Sequence, residues 1–310
     1  MKALVARAYG PLEDLEFADL PTPVPGPGQL LVRLQATALN AVDKVLVTGA
    51  MRDSLPVRHP FVPGVDVSGV VEAVGADVTR FSVGDAVIAW NSVTAGALAE
   101  YIVINDAPSV TRRPAGLSPA QGAALPTGAL TAAALLAEAR APQGGSVLIV
   151  GAAGGVGSYA VQLAKHAGLI VVATGLSEDE EFLRGLGADH VLDYRKVEVA
   201  EETHRLMGEG VDVVIDLANA GPALAATAAA ARPGGRIVSP LGGPSAFERD
   251  VTAVYSGTRT PEGRLEELAA LAAAGRLRVP IDSDYSFDQA GQALVDFASK
   301  HIRGKVTVTF

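Results

Sequence analysis

The residues best placed to do chemistry form one run, Val147-Leu148-Ile149-Val150-Gly151-Ala152-Ala153-Gly154-Gly155-Val156-Gly157-Ser158. Glycines spaced G-x-x-G-G-x-G let a backbone come close to a pyrophosphate, and a helix N-terminus behind them offers unpaired N–H groups to it. That use requires a strand before the turn and a helix after it. Both are legible, because four apolar residues precede Gly151 and Tyr159, Ala160, Val161, Leu163 and Ala164 continue with a helical pattern. A tight turn between two packed elements is the plainer alternative. The strand–turn–helix context favours dinucleotide binding.

Other chemistries are missing their residues. Cysteine is absent, which removes disulfides, thiol nucleophiles, iron–sulfur clusters and any Cys-ligated zinc. The five histidines (His59, His166, His190, His204 and His301) form no H-x-x-x-H or H-E-x-x-H pair, so no metal site is predicted. None of the six tyrosines has a lysine four positions later. A net charge of −9 with no Lys/Arg cluster argues against a nucleic-acid surface, which needs a basic excess.

The elements that must position the glycine turn change character along the chain. The first third reads as short strands, beginning at Met1–Ala8 and continuing with Leu30–Leu34, Gly69–Val74, Ala86–Ala89 and Tyr101–Ile104. Turn clusters at Pro21–Gly28, Pro63-Gly64 and Gly84-Asp85 separate them. Such a pattern suggests a small barrel or sandwich.

From about Ser118, alanine-rich helices alternate with apolar strands at Val147–Val150, Ile170–Thr174, His190–Leu192, Val211–Asp216 and Arg236–Ser239. The intervening helices are expected at Gly155–Ala167, Glu178–Leu186, Val199–Met207 and Ala223–Ala231. That alternation predicts an α/β fold with a doubly wound parallel sheet. A closing helix at Asp288–Phe297 and strand at Lys305–Phe310 cannot be assigned to either half by pattern alone. The chain of 310 residues, 49% hydrophobic, is long enough for two domains with full cores. The apolar segment around Ala129–Ala137 is too short to cross a bilayer, so a soluble cytoplasmic protein is the expectation.

Several further stretches resemble one family: Asn40-Ala41-Val42-Asp43, Pro63-Gly64-Val65-Asp66-Val67-Ser68-Gly69, Val83-Gly84-Asp85-Ala86-Val87 and Gly96-Ala97-Leu98-Ala99-Glu100-Tyr101. With them go Leu125-Pro126, Leu130-Thr131-Ala132, Leu186-Gly187-Ala188-Asp189, Asp193-Tyr194 and Gly304-Lys305-Val306. Together they resemble the zinc-independent quinone oxidoreductase, or zeta-crystallin-like, branch of the medium-chain dehydrogenase/reductases. The resemblance implies a GroES-like β-barrel catalytic domain over 1–118, completed by 276–310. It also implies a Rossmann domain over 119–275 and an active-site cleft at their junction.

It further implies that the turn residues Gly151, Ala152, Gly154, Gly155, Val156 and Gly157 hold the pyrophosphate. Asn40 and Thr131 then belong near the nicotinamide, and Leu217 and Leu241 line the cofactor groove. Thr174, Gly175 and Tyr194 suit a 2′-phosphate, so NADPH is the family default. The acidic loop Ser177-Glu178-Asp179-Glu180-Glu181 argues the other way, and NADH stays open; Arg184 could supply the missing base only from the next helical turn. Trp90 and Asn91 fall where the family has its substrate wall, as does Val45, which replaces a tyrosine of some members. Asp43 is expected to brace the Asn40 loop, and the proton donor is left unassigned.

Without zinc or a Tyr–Lys pair to ionise an alcohol, the expected acceptor is a quinone or an α,β-unsaturated carbonyl, whose conjugation spreads the incoming charge onto oxygen. Two alternatives are an enoyl reductase on a polyketide-like or acyl-thioester intermediate, and a non-enzymatic NADPH-binding structural or RNA-binding protein. Pairing of the apolar edge stretch Val251–Ser256 with its twin predicts a homodimer, with no nucleic acid and no membrane among the partners.

Overall fold

The computed structural model describes residues 1–91 and 96–310. In chain order it begins with β1 (Lys2–Val5), β2 (Glu16–Asp19), β3 (Gln29–Ala38), α1 (Ala41–Thr48), β4 (Asp66–Val74), β5 (Ala86–Trp90), β6 (Tyr101–Asn105), β7 (Val110–Arg112) and α2 (Pro119–Ala124). α3 (Pro126–Ala139) leads into β8 (Ser146–Val150), α4 (Gly157–His166), β9 (Ile170–Gly175), α5 (Glu180–Gly185), β10 (His190–Asp193), α6 (Val199–Met207), β11 (Val211–Asp216), α7 (Leu224–Ala228), β12 (Ala231–Ser239) and β13 (Thr252–Tyr255). The last segment holds α8 (Arg264–Ala273), β14 (Ile281–Ser286), α9 (Ala290–Ser299) and β15 (Lys305–Thr309).

Two compact units result, Met1–Thr127 with Thr260–Phe310, and Gly128–Arg259. The boundaries expected at 118/119 and 275/276 are both displaced. The alanine-rich texture that suggested a change at Ser118 belongs to α2, which packs on β3, β4 and β15 of the first unit. α8 likewise packs on β7. Composition marked where helices begin, and packing decides which core they join.

In the first unit β3 is the organising strand. β4 pairs antiparallel along one edge, while β6 takes the first half of the other edge and β15 the second half. The sheet runs β14-β15-β3-β4-β5-β7 with β6 on β3. The C-terminal segment is therefore part of this unit. Phe287, Ala290, Leu294, Val306 and Val308 share one apolar cluster with Leu4, Leu39, Leu46 and Leu98.

The second unit is a six-stranded, wholly parallel sheet in the order β10-β9-β8-β11-β12-β13. Counting from β8, this is the 3-2-1-4-5-6 order of a doubly wound Rossmann sheet, with its switch point between β8 and β11. β8 is buried along its whole length, as a strand covered on both faces must be. The expected helix over 223–231 is shorter, ending at Ala228, because Val211 N–H bonds Ala230 O and Ala231 already pairs with Val211. The helix expected over 178–186 is split. Asp179 turns its carboxylate back onto Leu176 N–H and closes a 3-10 turn ahead of α5.

The apolar helical stretch is longer than the segment 129–137 read from sequence. Pro119–Ala139 is long and apolar enough to cross a bilayer by length and composition, yet 72% of its most apolar window is buried inside the protein. Ala123, Ala124, Leu125, Leu130 and Leu135 are core residues.

Candidate nucleotide-binding and active site

Gly151 leaves β8 with φ +77°, a conformation glycine adopts at no steric cost, and Gly154 N–H closes the turn on Gly151 O at 3.2 Å. Gly157 sits where α4 meets the turn. A Cβ there would stand 2.2 Å from Gly151 O. Gly128 of α3 is similarly pressed against Gly155 O and Tyr159. Gly154 differs, since its nearest neighbour in the Cβ direction is 3.5 Å away. Its missing side chain leaves space beside the turn and relieves no crowding.

No side chain caps α4. The N–H groups of Gly155 and Val156, both half-buried, have no acceptor among the described residues. This cradle of orphan donors at a helix N-terminus fits a pyrophosphate. Ala152, by contrast, is fully buried and presents no atom to a ligand. It supports the turn from behind.

At the end of β9, Thr174 is buried and its hydroxyl accepts Gly151 N–H at 3.2 Å, tying strand to turn. Gly175 is also buried, with Leu183 and Asp179 filling the direction of its missing side chain. Neither offers a free group, whereas Ser177 and Tyr194 are exposed. Asp193 accepts both Ser177 N–H (2.9 Å) and its hydroxyl, and Lys196 Nζ lies 2.6 Å from Ser177 Oγ. These bonds, Ser177's foremost, hold the Asp193 carboxyl below its usual range. The basic residue beside Ser177 is Lys196, three residues past the end of β10. Arg184 is occupied by Glu180 and by Asp189 O. Asp179, one of the four acids in the loop, faces inward.

On the other side of the switch point Asp216 is fully buried. It accepts from Ala218 N, Asn219 N, Asn219 Nδ2 and Thr227 Oγ1, which shapes the β11 end without freeing a charge. Leu217 follows it, its Cβ 3.4 Å from where a Gly151 Cβ would sit, so it borders the glycine turn. Leu241 is 47% exposed beyond β12. Thr131 is 4% exposed, and its hydroxyl is 2.7 Å from that of Thr258.

The first unit holds a buried polar cluster that sequence reasoning saw only as motif fragments. Asn40 precedes α1, and Asp43 in the first turn accepts Asn40 N–H at 2.8 Å and Gly64 N–H at 2.9 Å. Burial pushes the Asp43 carboxyl up to about 7, against the pull of those two N–H groups. Asn40 spends its amide inside the protein: Nδ2 donates to Ala38 O (3.0 Å) and Asp66 Oδ2 (2.9 Å), and Oδ1 accepts from Lys305 Nζ at 2.5 Å. Asp66 is saturated as well. Its Oδ1 accepts from Thr127 N (2.8 Å) and Thr127 Oγ1 (2.6 Å), and its Oδ2 lies 3.3 Å from Lys305 Nζ. Leu39 O completes the shell of the ammonium at 3.0 Å.

Asn40, expected beside the nicotinamide, is thus 8% exposed with both amide hydrogens used. It positions its loop and has no donor left for a ligand. Asp66, Thr127 and Lys305 went unassigned because their motifs, Pro63–Gly69, Leu125-Pro126 and Gly304–Val306, lie far apart in sequence. A charged residue inside two of the apolar motifs, Asp66 and Lys305, was the available signal. Val45 is half-buried on α1, and Trp90 is half-buried at the end of β5. Asn91 is 9% exposed, its N–H bonded to Val65 O at 2.8 Å.

With this geometry in view, the likeness to known proteins is informative. Residues 26–115 match the alcohol dehydrogenase GroES-like domain and residues 186–308 the zinc-binding dehydrogenase family. The chain is 33% identical over 328 residues to the chloroplastic quinone-oxidoreductase QR1 of Triphysaria versicolor, covering 99% of this chain and 98% of that one. The quinone oxidoreductase of Coxiella burnetii superimposes with a TM-score of 0.89 at 29% identity, over 100% of this chain and 99% of that one. A mycobacterial protein solved in complex with NADPH gives 0.87 at 29% identity, over 100% of both chains. The chain belongs to the quinone oxidoreductase branch of the medium-chain dehydrogenase/reductase superfamily. It is an oxidoreductase that uses a pyridine nucleotide, built from a GroES-like barrel unit and a Rossmann unit.

Proposed function

We propose that the protein reduces a quinone or an α,β-unsaturated carbonyl with NADPH, without zinc. The observation that carries the reading is the saturated cluster around Asp66. A zinc site built on the barrel would need anionic or imidazole ligands. This chain has no cysteine; in the barrel cluster Asp66 is already paired with the buried Lys305 ammonium, and Asp43 is committed to the Asn40 and Gly64 N–H groups. These residues do not fit zinc. The acceptor must then carry its own activation, which conjugation provides.

Bound reduced nicotinamide supplies the hydride. Gly155 and Val156 N–H groups would hold its pyrophosphate, Gly154 would leave room for it, and Leu217 would border it. Asn40, Asp43, Asp66 and Lys305 hold the loop ahead of α1 rigid within the barrel unit. The choice of NADPH rests on Lys196 and Ser177, with Tyr194 exposed beside them and Arg195 6.0 Å from its ring. A 2′-phosphate placed there meets a cation, and the inward turn of Asp179 removes one repelling charge.

The same reading includes a homodimer through the β13 edge. The free edge is shorter than the apolar stretch suggested, because Thr252 is bridged by Ala246 and Ala253 N–H reaches Ser245 O at 3.4 Å. Pairing would centre on Val254 and Tyr255, and a monomer by sedimentation at micromolar concentration would overturn it.

Steady-state NADPH oxidation with a panel of quinones, enones, alkenals and acyl-thioester enones tests the reaction. Turnover with quinones or enones and none with simple alcohols and NADP is the expected result. Metal-dependent alcohol oxidation would refute it.

A further inference from the structure

Two adjacent residues other than glycine, Arg249 and Asp250, sit in the left-handed region with φ +62° and +58°. Such a pair is strained for L-residues and persists only where surrounding bonds impose it. Here the bonds come from the Arg249 guanidinium, which reaches back to α6 and the residues just past α6 and α7. Nη2 donates to Glu209 O at 2.9 Å. Nη1 donates to Ala229 O at 3.2 Å and lies 3.1 Å from His204 Nε2. The corner leads directly into β13: Val251 follows it, 1% exposed, and Thr252 begins the strand.

A guanidinium has donors only, so His204 Nε2 is the acceptor and the imidazole is neutral, with its proton on Nδ1. A second proton would turn Nε2 into a donor facing a donor, with two cationic N–H groups 3.1 Å apart. Imidazole is the side chain whose ordinary titration makes this change at mild acidity. On α6 its charged neighbours are Glu201, Glu202 and Arg205, the last two bonded to each other, and Glu248 and Asp250 flank Arg249. Of the elements packed on α6, α7 has no titratable residue, while β11 brings Asp212 and Asp216. Asp212 is held by Arg232 and Ser146, and Asp216 by Asn219 and Thr227. β12, packed on the corner, adds Arg236, which reaches Glu138 O. Arg249 is the charged partner of His204 among the described residues.

We propose that His204 and Arg249 form an acid-released latch on the β13 edge. As pH falls, His204 takes a proton from solvent at Nε2 and the Nη1 contact is lost. The strained corner then relaxes, and Thr252–Tyr255 loosens with it. The latch belongs to the Rossmann unit alone. Its consequence for association, weaker pairing in acid, rests on the homodimer reading above.

Hydrogen–deuterium exchange of the full-length protein at about pH 7.5 and about pH 5.5 tests this, with rates corrected for intrinsic exchange. His204→Gln keeps an acceptor and cannot titrate. In the parent, protection of residues 248–255 should fall by about two- to tenfold in acid, the worth of one hydrogen bond, while β8 stays protected. In His204→Gln it should not fall. Imidazole 15N shifts should show Nε2 unprotonated at the higher pH. Equal loss of protection in both proteins, or a protonated Nε2 at the higher pH, would overturn the latch. Sedimentation at the same two pH values should show acid-weakened association in the parent only, and equal weakening in both proteins would remove the link to pairing. A monomer throughout would end the homodimer reading, with exchange still judging the latch.

Discussion

Lys305 places its ammonium 3.3 Å from the Asp66 carboxylate, with the two side chains only 3% and 0% exposed. An ion pair so far from water is fragile to the loss of one partner, because the other charge is left buried and uncompensated. Lys305→Met should lower stability by about 3–5 kcal/mol in denaturant unfolding. The double variant Asp66→Asn with Lys305→Met should recover part of that loss. A penalty no larger than that of an exposed pair, about 1 kcal/mol or less, would mean the pair contributes little.

The glycine turn separates packing from ligand approach. Gly157→Ala puts a methyl 2.2 Å from Gly151 O and 2.6 Å from Ala152 Cα, both backbone, so the turn must deform. Gly154→Ala meets nothing nearer than 3.5 Å, so the fold should be unaffected while the pyrophosphate is crowded. We expect a lower thermal midpoint for Gly157→Ala. For Gly154→Ala we expect an unchanged midpoint with NADPH bound about tenfold more weakly or worse, equivalent to about 1.4 kcal/mol. Unimpaired binding in Gly154→Ala would place the nucleotide elsewhere.

Cofactor choice should respond to Lys196. A charge-assisted hydrogen bond contributes about 1.5–3 kcal/mol. Lys196→Glu should therefore reduce kcat/KM for NADPH by roughly ten- to a hundredfold and leave NADH nearly untouched. Equal effects on both nucleotides would show that Lys196 reads no phosphate.

The Asp43 carboxyl gives a pH signature of unusual sign. Burial raises it from 3.8 to about 7, so between those values the folded state keeps a proton that the unfolded chain releases. Its contribution to stability is complete below the unfolded pKa and is lost as pH rises toward 7. Urea midpoints measured from pH 4 to 7 should fall more steeply, or rise less, in the parent than in Asp43→Asn. Parallel curves would mean Asp43 stays ionised throughout.

Much of this was legible before any coordinates. Alternating apolar strands and helices declared the parallel sheet, and β8 with its glycines declared the nucleotide turn. The side-chain bonds were not legible, because hydrogen-bond saturation depends on contacts between distant segments. Asn40 looks like a ligand donor until Asp66 and Lys305 are seen to use it up, from 26 and 265 residues away. Lys196 escaped notice for a similar reason. A basic residue was sought after β9, and the parallel register brings one from the end of β10 instead. The strands β2, β7 and β14 carry too few apolar positions, or too short a run, to stand out from turns, whereas α8, with Leu265, Leu268 and Ala272 at helical spacing, was legible and was missed.

Single-turnover transfer from nicotinamide deuterated at the donor carbon, with an enone acceptor and the apo-protein freed of metal by chelation, addresses the central claim most directly. We expect one deuterium on the β-carbon of the product, a primary isotope effect on that step, and full activity after chelation. Solvent-derived hydrogen at that carbon, or activity that returns only with a divalent ion, would contradict a metal-free transfer to a conjugated acceptor.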